Sequence, residues 1–230
     1  MGVFPHLSRT THPMSSPRKV SDSTVRRLSY YLRILRAIAA EGTETVSSER
    51  LAELGGLTSA QVRKDLSFFG NFGVRGRGYD VEALTGALSG ILGLDRAWPT
   101  VVVGAGRLGS ALTAYPEFRS QGFHIVAAFD NDAAKVGTAV GSATVRPMAE
   151  LEDFVRQENV SIGVIATPAA AAQDACARLV SAGVRGILNF SPTSLEVPDG
   201  VTVRNVNLAI ELEGLSFAIT VQDVLPGGAH

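Results

Sequence analysis

The sequence predicts an α/β protein in two parts: an N-terminal winged helix-turn-helix domain and a C-terminal Rossmann-like domain with a parallel sheet. Three features carry this prediction. Before residue 95, short amphipathic helices lead into a hairpin rich in glycine and arginine, and beyond it short apolar strands alternate with helices. A G-x-G-x-x-G turn joins the first of those strands to the helix that follows it.

The composition fixes the broad class of protein. Of the 230 residues, 45% are hydrophobic and 19% are charged, which excludes a mostly disordered chain. The net charge of −1 is unevenly divided, because residues 1–80 carry 12 basic and 7 acidic side chains, whereas residues 81–230 carry 9 and 15. This asymmetry favours a polyanionic partner for the first part.

Cys176 is the only cysteine of the sequence, which excludes an intramolecular disulfide framework and any multi-cysteine metal site. We expect this side chain to pack inside a helix as a small buried group. No apolar run is long enough to span a bilayer, and no signal-peptide pattern stands near the start. The sequence therefore predicts a cytoplasmic protein in a reducing environment.

The elements of the first part follow from the helical spacing of its apolar residues. Residues 1–21 are rich in Ser, Thr and Pro and are expected to form a flexible arm, and residues 22–94 form the winged-helix domain. Thr58 can cap the third helix, and alternating glycine and arginine suit a hairpin tip. The predicted helices are 23–40, 47–54, 59–69 and 81–92, with the hairpin at 71–79.

The second part, residues 95–206, alternates near-continuous apolar strands with helices, which is typical of a parallel sheet covered on both faces. Its predicted strands are 100–103, 124–129, a short one at 145, 162–166 and 186–189, and its predicted helices are 108–121, 148–158 and 170–183. A last helix, in segment 207–220, carries one apolar stripe, and residues 221–230 form a tail. The stripe consists of Leu208, Leu212, Leu215 and Ile219.

The glycine-rich turn predicts a dinucleotide site. Gly104 permits a tight turn, Gly106 allows the backbone to approach a pyrophosphate, and Gly109 permits close packing of helix on strand. Asp130 stands 21 residues after Gly109, at the end of the next strand, where an acidic group accepts hydrogen bonds from the adenosine ribose. Since a carboxylate repels a 2′-phosphate, NAD(H) is favoured over NADP(H). The alternative is a surface aspartate that caps a turn with Asn131.

No catalytic set or metal site accompanies this turn. His6, His12 and His230 lie near the termini, and His124 stands at a strand start, so none is an obvious acid for hydride transfer. We therefore predict a protein that is not an enzyme. The alternatives are a small NAD-dependent dehydrogenase or reductase, a CoA-binding Rossmann protein, and a DNA-binding regulator that senses another nucleotide.

The third helix and the hairpin predict a nucleic-acid interface. Polar and basic side chains crowd the first turns of this helix, where a recognition helix meets base edges in the major groove. Arginines at the hairpin tip suit a narrow minor groove. The alternative for the basic helix residues is an ordinary solvated face. The predicted DNA-binding residues are Ser59, Gln61, Arg63, Lys64, Arg75 and Arg77.

Several long strings of this sequence resemble the Rex family of redox-sensing transcriptional repressors. They are QVRKDLSFFG at 61–70, GRGY at 76–79, GAGRLGSAL at 104–112, FD at 129–130, GILNFSP at 186–192 and LSF at 215–217. The resemblance covers residues 20–220. It implies a homodimeric repressor that binds palindromic operator DNA and is released by NADH, so that it responds to the NADH/NAD+ ratio.

The resemblance also implies roles for particular residues. Segment 207–220 is expected to form a domain-swapped helix that crosses to the partner subunit, the alternative being a helix packed on its own sheet. The implied interdomain switch contains Arg33, Tyr115, Asn207 and Leu208, although relatives often have aspartate at position 207 and Tyr115 could equally be a core aromatic. The implied cofactor-binding residues are Gly104, Ala105, Gly106, Arg107, Leu108, Gly109, Tyr115, Asp130, Thr167, Pro168, Asn189, Phe190, Ser191 and Pro192.

Overall fold

The computed structural model describes residues 20–74 and 76–224, and its chain divides after Asp95 into two compact units. Most of the predicted arm, the end of the predicted tail and Arg75 lie outside the described residues. No helix in the described ranges is both long and apolar enough to cross a membrane.

The first unit is a winged helix-turn-helix, as predicted. Its helices are α1 (Asp22–Ala40), α2 (Ser48–Gly55), α3 (Ser59–Ser67) and α4 (Val81–Ile91). Its strands are β1 (Thr45–Val46), β2 (Gly73–Val74) and β3 (Gly78–Asp80), which form an antiparallel sheet in the order β1-β3-β2.

Side-chain caps determine where these four helices begin. Ser21, Ser47, Thr58 and Asp80 each accept a hydrogen bond from the backbone N–H three residues further on. Each cap contributes about 1 kcal/mol to stability. Between α2 and α3, Gly56 adopts the left-handed conformation at φ +61° and lets the chain turn sharply. The helices enclose one apolar core, to which α1 contributes Leu28, Tyr31, Leu32, Leu35 and Ile38.

The predicted hairpin forms the wing, in which β2 and β3 pair in antiparallel fashion. At Gly78, φ is +80°, and a Cβ atom there would lie 2.5 Å from the carbonyl oxygen of Val46. Glycine is therefore required where the wing approaches β1.

The second unit is a seven-stranded sheet in the order β10-β9-β8-β4-β5-β7-β6. Its strands are β4 (Trp98–Val103), β5 (Phe123–Asp130), β6 (Ala139–Val140), β7 (Ala143–Pro147), β8 (Ile162–Ile165), β9 (Gly186–Asn189) and β10 (Thr202–Asn205). All neighbours are parallel except β6 and β7. Apart from β6, the parallel strands follow the 3-2-1-4-5-6 order of a Rossmann fold, which confirms the predicted class.

The helices of this unit are α5 (Arg107–Thr113), α6 (Pro116–Ser120), α7 (Leu151–Gln157), α8 (Ala169–Ser181) and α9 (Leu208–Val224), with a 3-10 turn at Met148–Glu150. The single helix predicted at 108–121 is wrong. Pro116 has no N–H to donate and keeps Tyr115 extended, at φ −73° and ψ 111°, so the chain forms two short helices instead.

The core of the second unit lies on both faces of the sheet. Cys176 is fully buried in it, as expected, and burial raises the pKa of its thiol. By contrast, α9 lies outside this core, and every side chain from Asn207 to Val221 is exposed. The alternative in which the last helix packs on its own sheet is therefore wrong.

Candidate nucleotide and nucleic-acid sites

The glycine turn after β4 is built from very close backbone contacts. At Gly104, φ is +99°, and a Cβ atom would lie 2.6 Å from the carbonyl oxygen of Ala166, which follows β8. A Cβ atom on Gly109 would lie 1.8 Å from the carbonyl oxygen of Gly104. A Cβ atom on Gly106 would meet nothing within 4 Å. Gly104 and Gly109 therefore allow the close backbone contacts of the turn, and Gly106 leaves open space beside the start of α5.

Asp130, the last residue of β5, points its carboxylate at this turn. It accepts hydrogen bonds from the backbone N–H of Ala105 at 2.8 Å, from that of Asp132 at 2.8 Å and from Lys135 Nζ at 3.0 Å. Burial alone would raise the pKa of Asp130, but these hydrogen bonds outweigh it and lower the pKa. The group is thus ionised at neutral pH. The contact with Asp132 is the turn-capping role that the alternative interpretation predicted.

A cavity of about 360 Å³ lies between the glycine turn and the ends of β5 and β8. Its walls include Gly104, Gly106, Asp130, Thr167 and Pro168, together with Lys135. The order of the strands reverses between β4 and β8, and in open α/β sheets ligands bind beside such a reversal at the carboxyl ends of the strands. The cavity has the size and position of a nucleotide site.

Two hydroxyl groups near the strand ends lack protein partners. Within the described residues, Thr167 Oγ1 and Ser191 Oγ are buried and form no hydrogen bond. A buried hydroxyl without a partner is costly, so such groups mark places where a ligand can supply one. Thr167 lines the cavity, whereas Ser191 follows β9, the neighbour of β8.

Asn189 shapes the loop that contains Ser191. Its side chain is completely buried, donates to the carbonyl oxygen of Thr193 at 2.8 Å and to Asn205 Oδ1 at 2.9 Å, and accepts from the backbone N–H of Ser191 at 2.9 Å. The amide is thus fully engaged in holding the loop. It thereby also fixes the positions of Phe190 and Pro192. The hydroxyl of Ser191 remains available for another hydrogen-bond partner.

Tyr115 is not brought to the cavity by the glycine turn in this chain. It lines a separate cavity of about 450 Å³. The first residues of β5 also line this cavity, at the end of the strand away from the glycine turn. Its ring packs edge-on against Phe118, with the ring centroids 5.2 Å apart. Arg107 and Leu108 lie in the first turn of α5, and 41% of Leu108 is exposed.

Lys135 is a residue of this site that the sequence analysis missed. It lies five positions after Asp130 and lines the same cavity. The signal that could have found it is this spacing, which allows a loop lysine to reach back to the strand end.

In the first unit, two of the predicted DNA-binding residues, Arg63 and Arg77, line the same groove. α3 and the wing enclose a groove of about 620 Å³ whose walls include Arg63, Ser67, Val74 and Arg77. Lys64 is exposed on α3, and Ser59 and Gln61 are half-buried in its first turn. A basic groove between a capped helix and a hairpin suits a nucleic-acid duplex.

Arg63 differs from a free DNA-reading side chain. Its Nη1 atom donates to Glu49 Oε1 at 2.8 Å and to Ser48 Oγ at 2.8 Å, both on α2. The carboxylate of Glu49 accepts hydrogen bonds from its own backbone N–H and from Arg63, and these lower its pKa. Contact of Arg63 with a base or phosphate thus requires exchange of this exposed ion pair, which solvent screens.

The residues of the predicted switch lie in both units. Arg33 is exposed on α1, and Leu208, 61% exposed, begins α9. Asn207 Oδ1 accepts from the backbone N–H of Ala209 at 3.0 Å. Asn207 is thereby used to begin α9.

Helix α9 carries apolar side chains on opposite sides. The stripe that includes Leu208 and Leu212 was predicted, but Ile210 and Phe217 lie about half a turn away from it on the helix. All of these side chains are between 59% and 71% exposed. A helix that is apolar on opposite sides is typical of one buried between two bodies.

The described residues contain no group of histidine, cysteine and acidic side chains that could hold a metal ion. Comparison with known proteins finds a family model that matches part of each unit. Residues 95–193 match the family described as "CoA binding domain", and residues 19–67 match the family described as "Putative DNA-binding protein N-terminus".

The curated relatives are named redox-sensing transcriptional repressor Rex. The protein from Carboxydothermus hydrogenoformans is 54% identical over 201 residues, which cover 87% of this chain and 97% of the relative. The protein from Streptomyces coelicolor is 50% identical over 209 residues, which cover 91% of this chain and 81% of the relative.

Solved structures of one Rex-family repressor, named RSP, have the same fold as this chain. Its complex with NAD+ and operator DNA is 37% identical, with a TM-score of 0.85, and the match covers 90% of this chain and 95% of that chain. Its complex with NADH is 36% identical, with a TM-score of 0.80, and covers 89% and 96%.

Proposed function

The chain belongs to the Rex family of redox-sensing transcriptional repressors, and from this premise we propose that it binds operator DNA and is released by NADH. The observation that carries this proposal is the cavity beside the glycine turn, in a chain whose other unit is a winged helix. One relative has been crystallised both with NADH and with NAD+ and operator DNA, which supports the same two ligands here.

We propose that the dinucleotide is an effector rather than a substrate, and that the protein is not an enzyme. The relatives are named repressors. Near the glycine turn, Lys135 is paired with Asp130, and Asp130 holds the turn through the backbone N–H of Ala105. The glycine turn and Asp130 would bind the adenosine and pyrophosphate groups. Thr167, Pro168 and the loop from Asn189 to Pro192 would face the nicotinamide.

The response to redox state would arise at the nicotinamide, because NADH and NAD+ differ there by one charge and by ring planarity. We propose a cytoplasmic homodimer in which α9 crosses to the partner subunit, bringing Leu208, Asn207, Arg33 and Tyr115 into one switch. NADH would favour an arrangement of the two recognition helices that no longer fits two half-sites about 34–36 Å apart. Such a ligand shifts the equilibrium only by its differential affinity for the two arrangements.

The test is a gel shift on inverted-repeat DNA selected from a random library with this protein. We expect NADH to release the DNA, with NAD+ acting only at higher concentration and CoA having no effect. Release by CoA alone would favour the CoA-binding alternative that the family description of residues 95–193 raises. Equal DNA occupancy with NADH and NAD+ would contradict the proposal.

Asp130→Ala should weaken NADH binding about tenfold or more, because hydrogen bonds to a charged group contribute about 1.5–3 kcal/mol. The affinity for NADPH should fall less or rise, because Lys135 stays beside the ribose while the carboxylate of Asp130 is gone. The measurement is the ratio of NADH to NADPH affinity by calorimetry. Asp132→Ala is the matched control, because its half-exposed side chain caps Ala134 and makes only a long ion pair, of 3.9 Å, with Lys135. An unchanged ratio in Asp130→Ala would contradict the ribose assignment.

A further inference from the structure

A buried carboxylate in the first unit lies outside the sites described so far. Asp65, in the last turn of α3, is only 4% exposed. Its Oδ2 atom accepts from Arg27 Nε at 2.6 Å and from the Tyr31 hydroxyl at 2.9 Å. Its Oδ1 atom accepts from Arg27 Nη2 at 2.8 Å and from Gln61 Nε2 at 2.8 Å. Each oxygen of Asp65 therefore receives two hydrogen bonds.

These partners come from two helices. Arg27 and Tyr31 are four residues apart on α1, and Gln61 and Asp65 are four residues apart on α3, so each pair lies on one helix face. Burial opposes the ionisation of Asp65, but the hydrogen bonds from Arg27, Tyr31 and Gln61 outweigh it and lower the pKa. An ionised carboxylate only accepts hydrogen bonds. Gln61 must therefore turn its amide nitrogen, rather than its carbonyl oxygen, toward Asp65.

The hydrogen bond to Asp65 determines which groups of Gln61 remain available to contact DNA. Gln61 lies in the first turn of α3, where its backbone N–H donates to Thr58 Oγ1 at 3.2 Å. Its amide nitrogen has two N–H groups, and one of them is used by Asp65. The second N–H and the carbonyl oxygen remain, and a glutamine amide uses this donor and acceptor to contact adenine in the major groove.

We propose that Asp65, held by Arg27 and Tyr31, is a positioning residue that sets the sequence preference of the DNA-binding unit through Gln61. This proposal rests on the operator binding proposed above. The carboxylate holds the amide of Gln61 in one orientation before DNA is met, and so favours adenine at one position of each half-site. Lys64 has a different role on the same helix, since its exposed ammonium group can contact phosphate at any sequence.

The experiment combines single and double variants with the selected operator. Gln61→Ala removes the side-chain amide that would contact adenine. Arg27→Lys keeps the positive charge beside Asp65 but loses the planar fork by which the guanidinium donates to each of its oxygens. Lys64→Ala is the matched control on the exposed face of α3. For each variant, fluorescence anisotropy measures the affinity for the operator and for duplexes that change one base pair symmetrically in both half-sites.

We expect Gln61→Ala to lose discrimination at one base pair of each half-site, by about tenfold or more. Arg27→Lys should lose discrimination at the same base pair, and the double variant should lose no more than Gln61→Ala alone. Lys64→Ala should weaken binding to every duplex by a similar factor. If Arg27→Lys does not fold, Tyr31→Phe, which removes one hydrogen bond and keeps the ring, should give a smaller loss at the same base pair.

Thermal unfolding and release by NADH are measured in parallel. A lower melting temperature in Arg27→Lys with an unchanged discrimination pattern would show that the cluster only ties α1 to α3, and would overturn the proposal. Additive losses in the double variant would also overturn it. If the unaltered protein selects no duplex at all, operator binding itself fails, and this inference fails with it.

Discussion

Gly109→Ala should abolish NADH binding and leave a repressor that NADH cannot release. A methyl group at this position would lie 1.8 Å from the carbonyl oxygen of Gly104, so α5 must move away from β4. The N–H groups at the start of α5 would then lose their alignment with the pyrophosphate. Two such hydrogen bonds contribute about 3–6 kcal/mol, which is a factor of about 100 or more in affinity. Calorimetry with NADH and a gel shift measure the two effects.

Gly106→Ala is the matched control for this experiment. It also should weaken NADH binding, because its methyl group would occupy the space beside the turn that the ligand needs. Its φ of −78° suits alanine, and the methyl group would meet no protein atom within 4 Å. The melting temperature should therefore fall in Gly109→Ala and stay unchanged in Gly106→Ala. Normal NADH affinity in Gly109→Ala would show that the glycine turn is not the nucleotide site.

In the proposed homodimer, replacing Leu212 and Phe217 together by serine should dissociate the two subunits into monomers. The two side chains are 66% and 71% exposed and lie on opposite sides of α9. Burial of one such side chain contributes about 1.5–3 kcal/mol, so the pair should change the dimer dissociation constant by about 100-fold or more. Sedimentation equilibrium over a range of concentrations measures this change.

Glu213→Ser is the control for the α9 variant, because it alters an exposed polar residue of the same helix. It should leave the dimer intact. The single variants Leu212→Ser and Phe217→Ser should each weaken the dimer if both sides of α9 are covered by the partner subunit. A stable dimer in the double variant would exclude α9 from the interface.

The sequence predicts most of the fold because its signals are local. Helix caps such as Thr58 and apolar strands such as 186–189 follow one another along the sequence in the same order as the elements of the structure. β10 was missed because its residues, Thr202–Asn205, are largely polar and exposed, as befits an edge strand. The break at Pro116 had a local signal, and the prediction of one helix there overlooked it.

The sites were less predictable, since their side chains meet through tertiary contacts. The glycine turn and Asp130 have a spacing that the Rossmann fold imposes, and so they could be found. Asp65 and Arg27 are 38 residues apart and meet only because the fold brings α1 and α3 to the same core. Lone polar residues in a helix give no sign of such a contact.

The hydrogen bond from Ala105 to Asp130 has a consequence for how the protein measures redox state. It holds the glycine turn in place without a ligand. The site for the adenosine half of either dinucleotide is therefore already formed. Oxidised and reduced molecules should then compete for the same site and gain the same binding free energy from this half, so that any difference in their affinity arises at the nicotinamide. A sensor built in this way reports the proportion of the two forms and is insensitive to the size of the total pool.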